Sequence, residues 1–122
     1  GGVRGEDGCV YALPSDAGRV CKIDPRTDEV TLIGPVFEGR NKWQNGFSLR
    51  DGCIYAIPCN AASVLRIDPR TAGVSLVGGP WEGEDKWEGG VLGGDGIIYC
   101  LPQQATQVLR VVPGKPAPPV GA

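Results

Sequence analysis

The apolar positions of this chain follow the pattern of short strands, and no stretch has the spacing of a helix. A run of five apolar residues occurs three times, at residues 9–13, 53–57 and 97–101. An Asp-Gly pair precedes each run and a proline follows it, so turn residues bound every run on both sides. A continuous apolar run between turn residues predicts a strand that is covered on both faces.

The whole sequence pattern repeats with a strict period. The motif Asp-Gly-x-x-Tyr opens at Asp7, Asp51 and Asp95, 44 residues apart each time, with no insertion or deletion between copies. A period of this length indicates one repeated supersecondary unit that buries its apolar faces against its neighbours. Residues shared by all copies therefore serve the fold first, and residues that differ between copies are better candidates for function.

Each copy predicts four strands. In the second copy they lie at residues 46–49, 53–57, 64–67 and 74–77, joined by an Asp-Gly hairpin turn, a loop of small residues and an Asp-Pro-Arg-Thr turn. Four antiparallel strands in about 40–45 residues is the size of one propeller blade. The predicted fold class is therefore all-β and of the β-propeller type, with three tandem four-stranded antiparallel blades of 44 residues.

The predicted blades form one repeat module followed by a Pro-rich tail. The blades cover residues 1–39, 40–83 and 84–115 approximately, and the tail covers residues 116–122. Because proline cannot donate to a strand ladder, the tail predicts a polyproline-like segment and leaves the last blade without its fourth strand. Propellers have about four to eight blades, so three blades do not close a ring by themselves. Since the chain begins within a repeat and without Met, we expect a processed product, a fragment or a part of a larger protein.

Two stretches of the second copy resemble known propeller blades. They are Asp-Gly-Cys-Ile-Tyr at residues 51–55 and Val-Leu-Arg-Ile-Asp-Pro-Arg-Thr at residues 64–71. They look like the blade of YVTN-type propellers and are similar to the kelch, NHL and quinoprotein-type groups, and the likeness runs from residue 2 to about residue 113. The resemblance implies a blade architecture and no particular activity. Lyases of the YVTN-like group rely on histidines, and this chain has none.

A Lys-Trp pair stands before the first strand of the second and third blades. Lys42-Trp43 and Lys86-Trp87 are each followed by a glycine three residues after the tryptophan, a spacer that resembles multi-repeat proteins of protists and algae. In the propellers that this chain resembles, the loop before the first strand opens on the binding face. An exposed Lys-Trp pair there suits an anionic or aromatic ligand or a peptide. The structural alternative is that tryptophan packs on the glycine of its own blade while lysine lies over it in water.

The candidate binding residues are these pairs and the nearby loop positions that differ between copies. Variable loop positions often carry recognition, although drift on a solvated loop produces the same pattern. The candidate set is Lys42, Trp43, Lys86, Trp87, Arg40, Asn41, Glu84, Asp85 and Trp81. The repeated tyrosines, the Asp-Gly turns and the Asp-Pro turns are assigned to the fold, and each tyrosine hydroxyl is expected to reach a backbone partner.

The composition argues against several classes of function. The chain has 12 basic and 14 acidic residues among 122, a net charge of −2, and lacks the basic footprint that nucleic-acid binding requires. No apolar run approaches the roughly 20 residues of a membrane span. Without His there is no His-dependent triad and no imidazole base, so we predict no catalytic residue, no cofactor and no metal site.

The cysteines argue for a reduced compartment. Four of the five occupy positions that are apolar in other copies, where free Cys acts as a small buried hydrophobe. Cys9 and Cys53 hold equivalent positions in adjacent units, and sheets stacked about 10 Å apart are too distant for a disulfide. Only Cys59 is predicted to be exposed in a loop. An intracellular or organellar setting is therefore favoured over secretion.

The predicted function is a non-catalytic protein–protein interaction or scaffold module. Its open end-blade faces are expected to bind protein, either within a larger assembly or by a self-association that completes a ring. One alternative is an accessory subunit of a large organellar membrane complex, such as an algal photosynthetic one. Another is a fragment of a propeller enzyme whose catalytic residues lie outside this chain.

Overall fold

The protein is an all-β chain, as the apolar pattern predicts. A computed structural model describes residues 1–114, which form eleven strands and contain no helix long and apolar enough to span a bilayer. The strands are β1 (Gly2–Arg4), β2 (Val10–Ala12), β3 (Val20–Asp24), β4 (Glu29–Ile33), β5 (Trp43–Ser48), β6 (Ile54–Pro58), β7 (Val64–Asp68), β8 (Gly73–Val77), β9 (Trp87–Leu92), β10 (Ile98–Pro102) and β11 (Leu109–Val111). The predicted strands at 53–57, 64–67 and 74–77 match β6, β7 and β8 within one residue. β5 begins three residues earlier than predicted because Trp43 pairs with Pro58 across a bulge.

The strands form three antiparallel sheets, and none of them closes on itself. Sheet 1 contains β1 to β4, sheet 2 contains β5 to β8, and sheet 3 contains β9 to β11, each in chain order. Each sheet is therefore a meander whose neighbouring strands are joined by short turns. The polyproline-like tail predicted for residues 116–122 lies outside the described residues.

Sheet 2 lies between the other two sheets and is covered on both faces. Along β6, Ile54 and Ala56 face the core shared with sheet 1, whereas Tyr55 and Ile57 face the core shared with sheet 3. This alternation follows from the two-residue period of a strand. All five residues of β6 are buried, which confirms for this sheet that the apolar run is covered on both sides.

The outer sheets do not follow that prediction. Val10 on β2 is 37% exposed and Leu101 on β10 is 52% exposed, because within residues 1–114 no fourth sheet lies beyond either of them. The same apolar run therefore has two covered faces in sheet 2 and one covered face in sheets 1 and 3.

The first strands of the three sheets lie side by side. β5 contacts β1 on one side and β9 on the other. Ser48 donates its hydroxyl to the carbonyl of Arg4 at 2.7 Å, and Asn45 donates its side-chain amide to the carbonyl of Glu88 at 2.8 Å. These bonds tie each first strand to the next and hold the sheets in a fixed order.

A glycine in each first strand allows the sheets to approach closely. A Cβ at Gly46 would lie 3.2 Å from Leu13 Cδ1 of sheet 1, and a Cβ at Gly90 would lie 2.9 Å from Ile57 Cδ1 of sheet 2. The equivalent residue in sheet 1 is Gly2, where the nearest atoms are the Tyr11 carbonyl oxygen at 3.5 Å and a Val10 methyl at 4.0 Å. Gly46 and Gly90 therefore receive a side chain from the preceding sheet, and Gly2 does not.

Candidate binding surfaces

The Lys-Trp pairs are buried at the boundaries between the sheets. Trp43 and Trp87 are 2% and 6% exposed and begin β5 and β9. Each indole N–H donates to a backbone carbonyl in a loop of its own sheet, at 2.8 Å to Ser63 and 2.7 Å to Gln107. The two pairs are therefore built in the same way in both repeats.

An aromatic side chain from the preceding linker packs on each of these indoles. Phe37 meets Trp43 edge to face, with ring centroids 5.0 Å apart. Trp81 meets Trp87 in the same manner at 5.7 Å. Both distances lie in the range at which aromatic pairs attract. The change from Phe37 to Trp81, which the sequence marks as a variable position, therefore preserves one packing role.

The two lysine ammonium groups are buried as well. Lys42 Nζ donates to the carbonyls of Gly39 at 2.7 Å and Ala17 at 3.1 Å, and Lys86 Nζ donates to the carbonyl of Gly83 at 2.8 Å. Both lysines are 4% exposed, so the expectation of a lysine in water is wrong. The backbone supplies the hydrogen bonds that make burial of the ammonium tolerable. Desolvation lowers the pKa of Lys86 below its ordinary value.

The linkers that carry these lysines are hydrogen-bonded to the sheets on both sides. The Lys42 N–H donates to the Ser15 carbonyl at 3.1 Å, and the Lys42 carbonyl accepts from Cys59 N–H at 2.9 Å. In the next repeat, Lys86 N–H donates to the Cys59 carbonyl at 3.1 Å, and Gln103 N–H donates to the Lys86 carbonyl at 2.8 Å. Each linker therefore fastens two consecutive sheets together.

Cys59 is enclosed by this arrangement, which corrects the prediction that it is exposed. It is 1% exposed because linkers bond its backbone N–H and its carbonyl from opposite sides. Its sulfur lies 3.7 Å from Asp85 Oδ1, and burial raises the pKa of the thiol. All five cysteines are free thiols.

Asn41 and Asp85 hold the turn that leads into each lysine. Both have φ of +48°, a conformation that Asn and Asp tolerate better than other residues with a side chain. Asn41 N–H donates to Asp16 Oδ1 at 2.9 Å, and Asp85 N–H donates to Asn60 Oδ1 at 2.7 Å. Asn41 and Asp85 occupy the same position of the repeat. The residue there differs between the two copies, but both residues adopt the positive φ that the turn requires.

A groove lies over each buried Lys-Trp pair. The first has a volume of about 540 Å³ and the second about 440 Å³, and their walls are repeat-equivalent. Of the candidate residues, Arg40, Lys42 and Trp43 line the first groove, Trp81, Lys86 and Trp87 line the second, and Glu84 lines both. The lysines and tryptophans are buried and form the floor. The exposed Glu38, Arg40 and Glu84 carry the charge at the rim of the first groove, and Glu82 and Glu84 carry it at the rim of the second. Ligand binding by these residues stays a prediction.

A second repeated cluster joins the Asp-Gly turn to the tyrosine of the next strand. The Tyr55 hydroxyl donates to Asp51 Oδ2 at 2.6 Å, and Cys53 N–H donates to Asp51 Oδ1 at 3.1 Å. The corresponding tyrosine–aspartate distances are 2.7 Å for Tyr11 and 2.5 Å for Tyr99. Each hydroxyl thus donates to the carboxylate four residues earlier and not to the expected backbone group, although the Tyr55 hydroxyl also accepts from Gly114 N–H at 3.3 Å.

A cation on the third strand completes each of these clusters. Lys22 Nζ lies 3.7 Å from Asp7 Oδ2, and Arg66 Nε donates to the Tyr55 hydroxyl at 3.3 Å. Arg110 lies over the Tyr99 ring, 6.0 Å from its centroid. The aspartate, the tyrosine four residues later and the cation eleven residues after that recur in every copy, and this spacing is a signal by which the cluster can be found in the sequence. Within the described residues no group of three or more potential metal-ligating side chains occurs.

The outer face of sheet 3 is apolar and uncovered. Its residues occupy the positions that sheets 1 and 2 bury against their neighbours, and we call it end face 3. It consists of Val91, Ile97, Tyr99, Leu101 and Val108. Val91 is 58% exposed and Val108 is 51% exposed, whereas Val64, the equivalent of Val108, is 3% exposed. Sheet 3 therefore carries the same apolar surface that the other sheets bury, but within residues 1–114 nothing covers it.

The outer face of sheet 1 is the counterpart at the other end, and we call it end face 1. It consists of Val10, Ala12, Cys21, Ile23 and Val30. Their equivalents on sheet 2 pack into the core shared with sheet 1, where Ile54, Ala56 and Leu65 are fully buried. On end face 1, Val30 is 62% exposed. End face 3 thus matches one side of the internal sheet–sheet interfaces, and end face 1 matches the other side. Neither a protein-family model nor a curated protein sequence matches this chain.

Proposed function

We propose that the chain is a non-catalytic protein-binding module of the propeller type, which docks through its end faces. A binding partner lays a sheet or another apolar surface against end face 3 or end face 1. The module then acts as a scaffold element, since binding at either end leaves the other end available.

One comparison carries the proposal. Leu13, Ile57 and Leu101 occupy the same position in the three repeats, with exposed fractions of 6%, 0% and 52%. The first two are buried by the following sheet, and the third has no such cover in residues 1–114. An exposed apolar surface that matches a buried one position by position is a surface made to be covered.

The chemistry of end face 3 suits a protein more than a small molecule. Its branched aliphatic side chains stand on a pleated sheet, and Tyr99 adds an aromatic side chain with a polar tip. Aromatic residues at the centre of an apolar patch are typical of protein interfaces. Two charged side chains border the tyrosine: Asp95 accepts from its hydroxyl, and Arg110, its cross-strand partner, lies over its ring.

Site-specific photo-crosslinking tests the proposal. A benzoylphenylalanine replaces Leu101 in one variant and Leu76 in the other. Both leucines are 52% exposed, but Leu101 lies on end face 3 and Leu76 lines the first groove, so the pair compares the two candidate surfaces. Irradiation in cells that make the protein should give a protein adduct at position 101 and none at position 76. Equal adducts at both positions, or no adduct at position 101, would contradict docking through end face 3.

The accessory-subunit hypothesis uses the same end faces and differs only in the partner. Mass spectrometry of the adduct at position 101 separates the two, because it identifies the cross-linked chain. A subunit of a membrane complex in the adduct supports the accessory role, and any other partner supports the general scaffold role.

A further inference from the structure

We propose that end face 3 of one copy is covered by end face 1 of a second copy, head to tail, so that two copies close a six-sheet ring. This inference rests on the proposed docking role of the end faces and names the partner as a second copy of this chain. A head-to-tail contact uses two different surfaces and forms a ring when the rotation closes.

The first argument is that the two end faces complement each other residue by residue. In the internal interfaces, the residues equivalent to end face 3 always meet residues equivalent to end face 1. Tyr55, for example, lies in the core that contains Ile98 and Cys100, and Tyr11 lies in the core that contains Ile54 and Ala56. Placing end face 1 on end face 3 therefore repeats an interface that the chain already forms twice.

The second argument is the open space at Gly2. Leu13 packs on Gly46, and Ile57 packs on Gly90. At each internal interface an aliphatic side chain from one sheet therefore fills the space that the missing side chain of a glycine leaves in the next sheet, which we call the glycine notch. Leu101 is the one member of this series that has no glycine notch to fill within the described residues, and Gly2 is the one notch that no side chain fills. Head-to-tail docking brings Leu101 of one copy onto Gly2 of the other.

The third argument is the position of a turn. The turn of sheet 3 touches the Asp51 carboxylate of sheet 2 through Gly114 N–H, at 3.0 Å. The equivalent of Gly114 in sheet 1 is Arg26, whose side chain is 79% exposed, and the equivalent of Asp51 on the open face is Asp95. Head-to-tail docking therefore sets the Arg26 turn, in which the guanidinium pairs with Asp24 at 3.2 Å, beside the exposed Asp95 carboxylate.

The number of copies follows from ring size. Three sheets are fewer than the smallest propellers contain, and nine are more than the largest of the common ones, which have about four to eight. Two copies supply six sheets, and six lies within that range. The expected particle is therefore twice the 12.8 kDa of one chain.

Sedimentation velocity and native mass spectrometry test the inference on the purified chain, over concentrations from about 1 to 100 µM. We expect a dimer, and we expect Gly2→Ala to weaken dimerisation about tenfold or more, because the added methyl occupies the place of Leu101. Leu101→Glu should abolish the dimer, and Leu76→Glu, which changes an equally exposed leucine elsewhere, should leave it intact. Gly2→Ala should not alter the monomer, because a Cβ there meets no atom closer than 3.5 Å.

Each other outcome overturns the inference. A dimer that Leu101→Glu breaks and Gly2→Ala leaves unchanged would mean that end face 3 packs on itself. A particle of three or more chains would contradict the two-copy ring. A monomer that gives an adduct with a different protein at position 101 would overturn self-docking and leave the proposed function standing. A monomer without any adduct would overturn both.

Discussion

Replacing the three motif tyrosines by phenylalanine compares one hydrogen bond in three environments. Each hydroxyl donates to an aspartate carboxylate four residues earlier, at 2.7 Å for Tyr11, 2.6 Å for Tyr55 and 2.5 Å for Tyr99. Because the geometry is nearly constant, the cost of removing the hydroxyl should depend on how well water can replace it. Asp51 is 3% exposed, whereas Asp95 is open to solvent.

The expected costs follow from that difference. Tyr55→Phe leaves Asp51 Oδ2 buried with the Gly114 N–H as its remaining donor, so it should lower the free energy of unfolding by about 1.5–3 kcal/mol. Tyr99→Phe removes a bond that water can replace, so it should cost about 0.5 kcal/mol or less. Tyr11→Phe should fall between them, because Tyr11 is fully buried while the Asp7 side chain is 27% exposed.

Urea unfolding followed by tryptophan fluorescence measures these costs. Trp43 lies at the boundary of sheets 1 and 2, and Trp87, with Trp81 packed on it, lies at that of sheets 2 and 3, so the summed emission reports on both interfaces. Equal losses for Tyr55→Phe and Tyr99→Phe would refute the argument from burial. A loss at Tyr99 larger than that at Tyr55 would show that the carboxylate cluster is not what stabilises the fold.

The pH dependence adds an independent check at Asp7. Burial acts to raise the pKa of Asp7, but the Tyr11 hydroxyl, the Cys9 N–H and the charge of Lys22 together hold this pKa below its ordinary value of 3.8. The stabilisation is therefore present above pH 3.8 and is lost as the pH falls through the lower, folded-state pKa. The stability gap between wild type and Tyr11→Phe should be full at neutral pH and should narrow in acid, and a constant gap would contradict this account.

Four further substitutions, three at the junctions between the sheets and one in a turn of sheet 2, are followed by the same unfolding assay. Gly46→Ala should cost about 1–3 kcal/mol, since its Cβ would lie 2.7 Å from the Tyr55 carbonyl oxygen of the same sheet and 3.2 Å from Leu13 Cδ1 of sheet 1. An unchanged midpoint would show that both neighbours can shift to admit the methyl group. Lys42→Met should destabilise more than Lys86→Met, because Lys42 Nζ has two carbonyl partners and Lys86 Nζ has one, and the reverse order would refute that reasoning. Ala72→Gly should stabilise by about 0.5–1 kcal/mol, since Ala72 has φ of +58°, and a loss would show that its methyl group packs more favourably than its backbone is strained.

The sheets could be predicted from the sequence because their signals are local. The apolar run of β6 and the Asp-Gly turn before it need only neighbouring residues to form. The start of β5 could not be predicted in this way, because Trp43 joins the ladder across a bulge opposite Pro58. The exposure of one face of each outer sheet could not be predicted either, because the residues of a strand do not indicate whether another sheet packs against it.

The candidate residues illustrate the same limit. The Ala17 carbonyl that Lys42 reaches lies 25 residues earlier and carries no side-chain signature. The enclosure of Cys59 likewise depends on backbone groups of two linkers. The carboxylate partners of the tyrosines were within reach of sequence reasoning, because aspartate and tyrosine stand four residues apart across a tight turn in every copy. A partner fixed by local spacing can be found from sequence, and one fixed by a backbone carbonyl of another sheet cannot.

The linkers also decide what counts as one unit of this protein. Dividing the chain into its 44-residue repeats would cut each linker. Lys42 or Lys86 would then lose its hydrogen bonds to one of the two sheets that it joins. The smallest piece that keeps every bond of a linker is a pair of sheets with the linker between them. A repeat added to or removed from such a chain would therefore have to include both a sheet and the linker that bonds this sheet to the preceding one.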